Sequence, residues 1–269
     1  MPAAPPAYIQ APPVVPHRFG LFTVASVVDA IGVREQSGVE WEPAGAGPAT
    51  VAPVPCPSIP SGLDGTGVAL AAATPFVVYA GVRCDTSAGH TYQELLARAQ
   101  TRLSLGEQAA CERALWSGEG GNRPRLAAPT TVVLASGAAV PLAAGVGLLE
   151  EYLVDTYAGI GALHAPRRVA PAAAAARLVD RDGARLVTTV GTPVVFGRYP
   201  ATGPDGAAPP TGAAWLYATG QVLVRRGDVQ VSDEAAGFAP ATGRPLAVAQ
   251  RVYLAGFEGT PAAVLIQLA

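Results

Sequence analysis

One uninterrupted helix constrains this chain more than any other feature. Thr91-Tyr-Gln-Glu94 has the form of a capping box, in which the threonine oxygen takes a first-turn amide and the glutamate reaches back. Glu94 and Arg98 follow at i,i+4 in the favourable order. Leu95, Leu96, Ala99, Leu103, Ala110, Ala114 and Leu115 keep a helical period. Gly106, Ala109 and Ala110 are small enough for close packing midway, and Gly118 is a natural stop. The pattern predicts a helix over 91–117, roughly 40 Å long, longer than a typical globular helix. An apolar strand, Pro75–Arg83, leads into it, and the glycine-rich Gly118-Glu-Gly-Gly-Asn122 follows directly. Such a segment is a beam, and nothing in it looks reactive.

Before the beam the chain is open in character. Residues 1–16 carry Pro2, Pro5, Pro6, Pro12, Pro13 and Pro16. Proline fixes φ and donates no hydrogen bond, so this is an extended arm, not a packed element. Arg18–Val28 reads as a strand and Gly38–Glu42 as a second, and the turn residues between them make a hairpin. Residues 43–67 are rich in Pro, Gly, Ala and Ser and read as irregular loop. The whole of 17–73 is expected to be an excursion from the body.

After the beam, short strands and helices mix. The expectations are a strand over 130–135, a helix over Leu142–Tyr157, a strand at Gly161–His164 and an alanine-rich helix over Arg168–Leu178, broken at Pro171. A turn at Asp180-Arg-Asp-Gly183 then leads to a strand at Arg185–Thr188. Further strands fall at 193–197, 214–218, 221–225 and 229–232, and a last pair at 246–255 and 262–268 flanks a turn. Without steady βαβ alternation, the class is α+β, not a doubly wound parallel sheet.

Half of the residues are apolar and only 14% are charged, against a usual fraction of about a quarter. The shortfall suggests a surface that ends up against other protein; a high-GC genome, which enriches Ala, Gly and Pro, is the competing cause. All 18 basic residues are arginine, which excludes a Schiff-base lysine, a phosphate-loop lysine and a lysine isopeptide. The net charge of -2 and the lack of a basic run argue against duplex binding by phosphate neutralisation. Cys56, Cys84 and Cys111 form no zinc spacing and read as small buried thiols. Their odd number and the absence of a signal peptide point to a reducing cytoplasm. Two uncharged stretches, 65–82 and 129–149, contain proline and several glycines and read as buried strands and turns, not membrane spans.

The search for chemistry ends without a centre. Ser136, in Leu-Ala-Ser-Gly, lacks the first glycine of a nucleophile elbow. Gly159-Ile-Gly-Ala-Leu-His164 begins like a dinucleotide fingerprint but precedes a strand instead of opening a helix. His17 lies in the arm and His90 just before the helix cap, leaving His164 as the one histidine to weigh for catalysis, with Cys84 or Cys111 as partner. A histidine making a structural hydrogen bond at a strand end is the plainer reading. Glu150/Glu151 read as a solvated helix face, Asp180/Asp182 as a turn, and Trp41, Trp116 and Trp215 as core or interface anchors. No catalytic, cofactor-binding or metal residue is assigned, and no cofactor is expected.

The order of these parts resembles the Hong Kong 97-type major capsid fold of tailed phages, shared with encapsulin shells. The resemblance rests on the beam, on Leu115-Trp-Ser-Gly118 and Gly120-Gly-Asn-Arg-Pro124 at its exit, and on the close of the chain. That close is Ala247-Val-Ala-Gln-Arg-Val-Tyr-Leu-Ala255 followed by Pro261-Ala-Ala-Val-Leu-Ile-Gln-Leu268. It spans nearly the whole chain, by architecture more than by motif. It implies an N-terminal arm over 1–16 and an E-loop-like excursion over 17–73. It implies a peripheral domain over 74–127 and 246–258 with spine helix 91–117, and an axial domain over 128–245 and 259–269. It implies a non-enzymatic shell subunit of a virion, assembled in the host cytoplasm as hexamers and pentamers around double-stranded DNA, without sequence-specific binding or membrane contact. Separate scaffold, portal and decoration proteins would be its partners. The lysine-free, Ala/Arg-rich composition is similar to that of proteins of phages infecting actinobacteria. Two departures matter: with no lysine there is no lysine–asparagine crosslink, and the proline-rich start holds no helical scaffolding region. An encapsulin-like compartment, a tail or connector protein, and a cysteine or serine hydrolase built on His164 stand as alternatives.

Overall fold

The computed structural model describes residues 12–45, 49, 67, 69–83, 91–135, 138–232, 238–239 and 244–268. The long helix, α1 (Tyr92–Ser117), is present with the expected ends. Glu94 N–H donates to Thr91 Oγ1 at 3.3 Å, and Thr91 N–H donates to Glu94 Oε2 at 3.0 Å. Gly118 closes the helix in the left-handed region at φ 78°, a conformation that costs a Cβ-bearing residue more than glycine. Gly106 is exposed, with open space where a side chain would go, so close packing at that point is not found.

The strands in chain order are β1 (Ser26–Val28), β2 (Val39–Trp41), β3 (Ala71–Ala73), β4 (Pro75–Arg83), β5 (Val132–Val133) and β6 (Val140–Pro141). After helix α2 (Leu142–Thr156) comes β7 (Ala162–Pro166), then α3 (Ala170–Ala175), β8 (Val179–Asp182), β9 (Arg185–Thr188) and β10 (Pro193–Gly197). The rest are β11 (Ala213–Thr219), β12 (Val222–Arg226), β13 (Gln230–Val231), β14 (Phe238–Ala239), β15 (Arg244–Phe257) and β16 (Ala262–Gln267).

Strand β15 organises the first sheet, pairing antiparallel with β4 from Leu246 to Leu254 and with β12 from Tyr253 to Phe257, while β1 adds parallel to β12. Helix α1 packs on one face, burying Leu95, Leu96, Ala99, Leu103, Cys111, Ala114 and Leu115 against Phe76, Val78, Val82, Ala247, Ala249 and Tyr253. The second sheet runs β5-β16-β11-β7-β10-β9-β8, with β6 also on β16. Its core is built from Leu149 and Leu153 of α2 against Leu163, Val194, Phe196, Leu216, Val264 and Ile266. The two sheets are continuous through a pair of strands. β11 pairs with β16 in one sheet, and their continuations β12 and β15 pair in the other. At the crease Gly220 N–H donates to Glu258 O (3.0 Å) and Glu258 N–H to Gln221 O (2.9 Å). β2 and β3 form a separate two-stranded antiparallel ribbon.

Three sequence expectations are corrected. The strand over Arg18–Val28 and its hairpin with Gly38–Glu42 are not formed. Leu21–Thr23 is a turn of 3-10 helix, because the Leu21 N–H goes to the Glu112 carboxylate and not to a ladder. Only Ser26–Val28 is extended, and β2 pairs with β3 instead. The turn expected at 180–183 begins later, since Asp180, Arg181 and Asp182 lie in β8 and pair with β9. Pro171 does not break its helix but sits in the first turn of α3, where its missing N–H is no loss. The short strands of the second half otherwise fall within a few residues of their expected places.

Trp116 joins the helix to the second sheet. It is fully buried, its ring 4.8 Å from that of Tyr199 and 4.6 Å from that of Tyr217, and its Nε1–H donates to Thr202 O at 3.1 Å. A buried aromatic cut back to alanine loses about 3–5 kcal/mol. We expect Trp116→Ala to lower the unfolding free energy of the chain by that amount in urea titration; a change under about 1 kcal/mol would contradict this packing.

Candidate functional site

Of the residues singled out for chemistry, His164, Cys111 and Glu150 are occupied in structural work. His164, on β7, is wholly buried; its Nδ1 lies 2.9 Å from Tyr199 Oη and its Nε2 3.0 Å from Thr219 Oγ1. Burial pulls its pKa down to about 3, so the ring is neutral and both nitrogens are taken. Cys111 lies inside the α1 core, where burial pushes its thiol well up, the opposite of an activated nucleophile. Cys56, Cys84, His90 and Ser136 lie outside the described residues. His17 is exposed, and its carbonyl accepts from Gln108 Nε2 at 3.2 Å. Gly159–His164 opens no helix and runs into β7. Glu150 is not merely a solvated group: its two oxygens accept from Thr188 Oγ1 (2.7 Å) and Thr192 Oγ1 (2.6 Å), tying α2 to the β9–β10 loop. Glu151, Asp180 and Asp182 are exposed. Trp116 is core, Trp215 is half-buried, and Trp41 stands at the outer end of the ribbon, opposite Ala71. Among the described residues no group of His, Cys, Asp and Glu could hold a metal, and no helix is long and apolar enough to cross a membrane.

Two carboxylates that the sequence reading passed over hold the molecule together. Glu107 accepts from Tyr253 Oη, from Arg251 Nη1 (3.2 Å) and from Arg226 Nη1 (3.2 Å). Arg226 also bonds Asp29 through Nε and, at 3.1 Å, through Nη2, which holds the Asp29 carboxyl below its usual range. Glu107 thus joins α1 to β12 and β15, and Arg226 extends the chain of contacts to the segment after β1. Glu112, 2% exposed, accepts from the backbone N–H of Leu21 (3.0 Å) and of Arg198 (2.5 Å). Gly197 makes this possible, since a Cβ there would lie 2.7 Å from Glu112 Cδ. The missed signal was in plain view: Glu107 occupies the i+4 row of Ala99, Leu103 and Cys111, where only an apolar residue or a fully partnered charge belongs.

The surface left open is distinctive. On β4 the side chains facing α1 are buried, whereas Val77 and Tyr79 on the far face are 51% and 71% exposed. Val252 and Gln250 of β15 stand opposite them in register. An antiparallel sheet can keep one face wet, but valine and tyrosine on that face suit contact with protein. The ribbon beside it adds Leu70, 57% exposed, next to β3.

No protein-family model matches this sequence, and no curated protein matches it. Solved structures do, over nearly its full length. The chain matches the capsid of an empty GTA particle computed with C5 symmetry at 18% identity and a TM-score of 0.59, covering 98% of this chain and 95% of that one. The capsid of the native GTA particle gives 16% and 0.57, with 99% and 96% covered. A structure of Mycobacterium phage Bobi gives 14% and 0.50, with 98% and 96% covered. The chain therefore has the α+β capsid-protein fold that its order of parts resembles.

Glu112 yields a pH prediction. Its burial outweighs the two amides and raises its pKa above the ordinary value of 4.5, so the folded state binds this proton more tightly than the unfolded one. Stability from this group is full below about pH 4.5 and is lost as pH rises through the raised folded value. The stability of wild type minus Glu112→Gln, from urea titrations between pH 4 and 8, should fall with rising pH and then level. A difference that rises with pH would contradict this. Glu112→Ala, which strands two buried amides, should cost about 1–3 kcal/mol for each.

Proposed function

We propose that this chain is the major capsid protein of a tailed-phage-like particle, a non-enzymatic subunit that closes with copies of itself into a shell around double-stranded DNA. The observation that carries this reading is two-way coverage: the chain spans 98% of its own length on 95% of a capsid subunit's, so the likeness is to a whole shell protein. Three features of the chain support it. Only 14% of the residues are charged, which suits a protein that buries much of its surface between subunits. The sheet face at Val77 and Tyr79 is open and apolar. The described chain includes a ribbon, β2–β3, that pairs with neither sheet.

The division of labour follows the same reading. Residues 1–16 serve as an arm and 17–73 as the excursion that reaches a neighbour. Residues 74–127 with 246–258 form the peripheral domain on the α1 beam, and 128–245 with 259–269 form the axial domain around the symmetry axis. Within the excursion, Leu21 and β1 belong to the body, bound by Glu112 and β12, so the reaching part lies beyond them. Hexamers and pentamers are the assembly units, closed rings of one heterologous contact. With no lysine in the chain, the shell is held by non-covalent contacts.

Negative-stain microscopy of the purified, overexpressed chain tests this directly. Uniform closed particles are expected. Discrete monomers at every concentration reached would overturn it, and open tubes or isolated rings would favour a tail or connector role.

A further inference from the structure

At the crease between the two sheets one glutamate touches three separate pieces of chain. The backbone of Glu258 is bonded in both directions to Gly220 and Gln221. Its side chain reaches the outer end of the ribbon, where Trp41 pairs with Ala71, and Oε1 accepts from Trp41 Nε1–H at 3.3 Å. Its other oxygen, Oε2, accepts from Tyr157 Oη–H at 2.7 Å. Tyr157, just past α2, is 6% exposed, and its oxygen accepts in turn from Gln221 N–H at 3.2 Å. Burial and the nearby carboxylate push the Tyr157 hydroxyl up to about 12, so it remains a donor at any working pH.

The surroundings are shaped to let the ribbon approach. A Cβ at Gly256 would lie 2.7 Å from Trp41 Cη2, and one at Gly45 would lie 2.6 Å from the Tyr157 ring. Ala158 N–H donates to Gly45 O at 2.8 Å, so the chain is tied again just beyond β2. The returning leg is fixed at another place, where Thr74 N–H donates to Arg123 O (2.8 Å) and Arg123 N–H to Thr74 Oγ1 (2.7 Å). The ribbon itself is two strands of three residues, too little to hold an orientation by pairing alone.

We propose that Glu258 is the positioning residue that fixes the direction in which the β2–β3 ribbon lies on the body, one carboxylate oxygen held by the body and the other by the ribbon. Its consequence for assembly rests on the shell reading above: a ribbon with a preset direction gives every copy the same reach to its neighbour. The carboxylate is the right group for this task because it accepts on both oxygens at once, whereas an amide accepts on one and offers a donor at the other. Trp41 supplies the matching half, an indole wedged on Gly256 with its single N–H aimed at Glu258.

Two variants separate this role from general stability. Trp41→Phe keeps an aromatic ring and removes the donor, and Glu258→Gln keeps the size and removes one acceptor. Amide hydrogen exchange is read by mass spectrometry on the unassembled chain. Each variant should speed exchange at 39–41 and 71–73 by roughly tenfold, the weight of one hydrogen bond to a charged group, and leave β16 at its wild-type rate. Unchanged exchange in the ribbon, or equal acceleration in β16, would overturn the proposal. The same variants should give particles of mixed diameter where wild type gives one size, and uniform shells from a loosened ribbon would break the link from ribbon direction to assembly. Failure of wild type to form particles would count against the shell reading alone, because the exchange measurement needs no assembly.

Discussion

The fold of this chain hangs on buried carboxyl groups of one helix meeting partners drawn from distant parts of the sequence. Glu107 and Glu112 lie on the covered side of α1, away from bulk water, and each is fully engaged: the first by Arg226, Arg251 and Tyr253, the second by two backbone amides. A buried charge left alone would cost several kcal/mol, so the helix is stable only with the chain around it correctly placed. The lysine-free composition serves this arrangement. Arg226 bonds Glu107 through one nitrogen and Asp29 through two others, a fork that an ammonium group cannot provide.

Much of the architecture was legible in the sequence, and the reasons are local. The α1 ends were read from Thr91, Glu94 and Gly118 because capping and the left-handed stop are decided by neighbouring residues. Most strands of the second half were found because apolar runs between glycines and prolines announce themselves, whereas β8, with Asp180, Arg181 and Asp182, reads as a turn. The failures share a physical cause. Arg18–Val28 has strand composition, yet Leu21 curls into a 3-10 turn because a carboxylate 91 residues later takes its N–H; no local signal carries that. Glu107 and Glu112 were overlooked because the apolar period was read for what fits it, when the exceptions were the informative positions. Glu258 gave no signal at all, since its importance comes from a fold that brings Trp41, Tyr157 and Gln221 together.

The same comparison explains why no reaction centre emerged from the candidates. His164 looked eligible only while its surroundings were unknown. Tyr199 and Thr219 take both nitrogens, and burial strips the ring of its proton. Glu150, read as a wet helix face, is instead a clamp for two threonines. In each case the polar group holds one element against another.

The passage of β11 into β12 beside that of β15 into β16 carries a mechanical implication. Two covalent strands cross from one sheet to the other side by side, laced together at Gly220, Gln221 and Glu258. Tension applied across the molecule is therefore divided between two parallel cords loaded along their length. Pulling them apart means shearing rows of hydrogen bonds together, not opening them one by one like a zip.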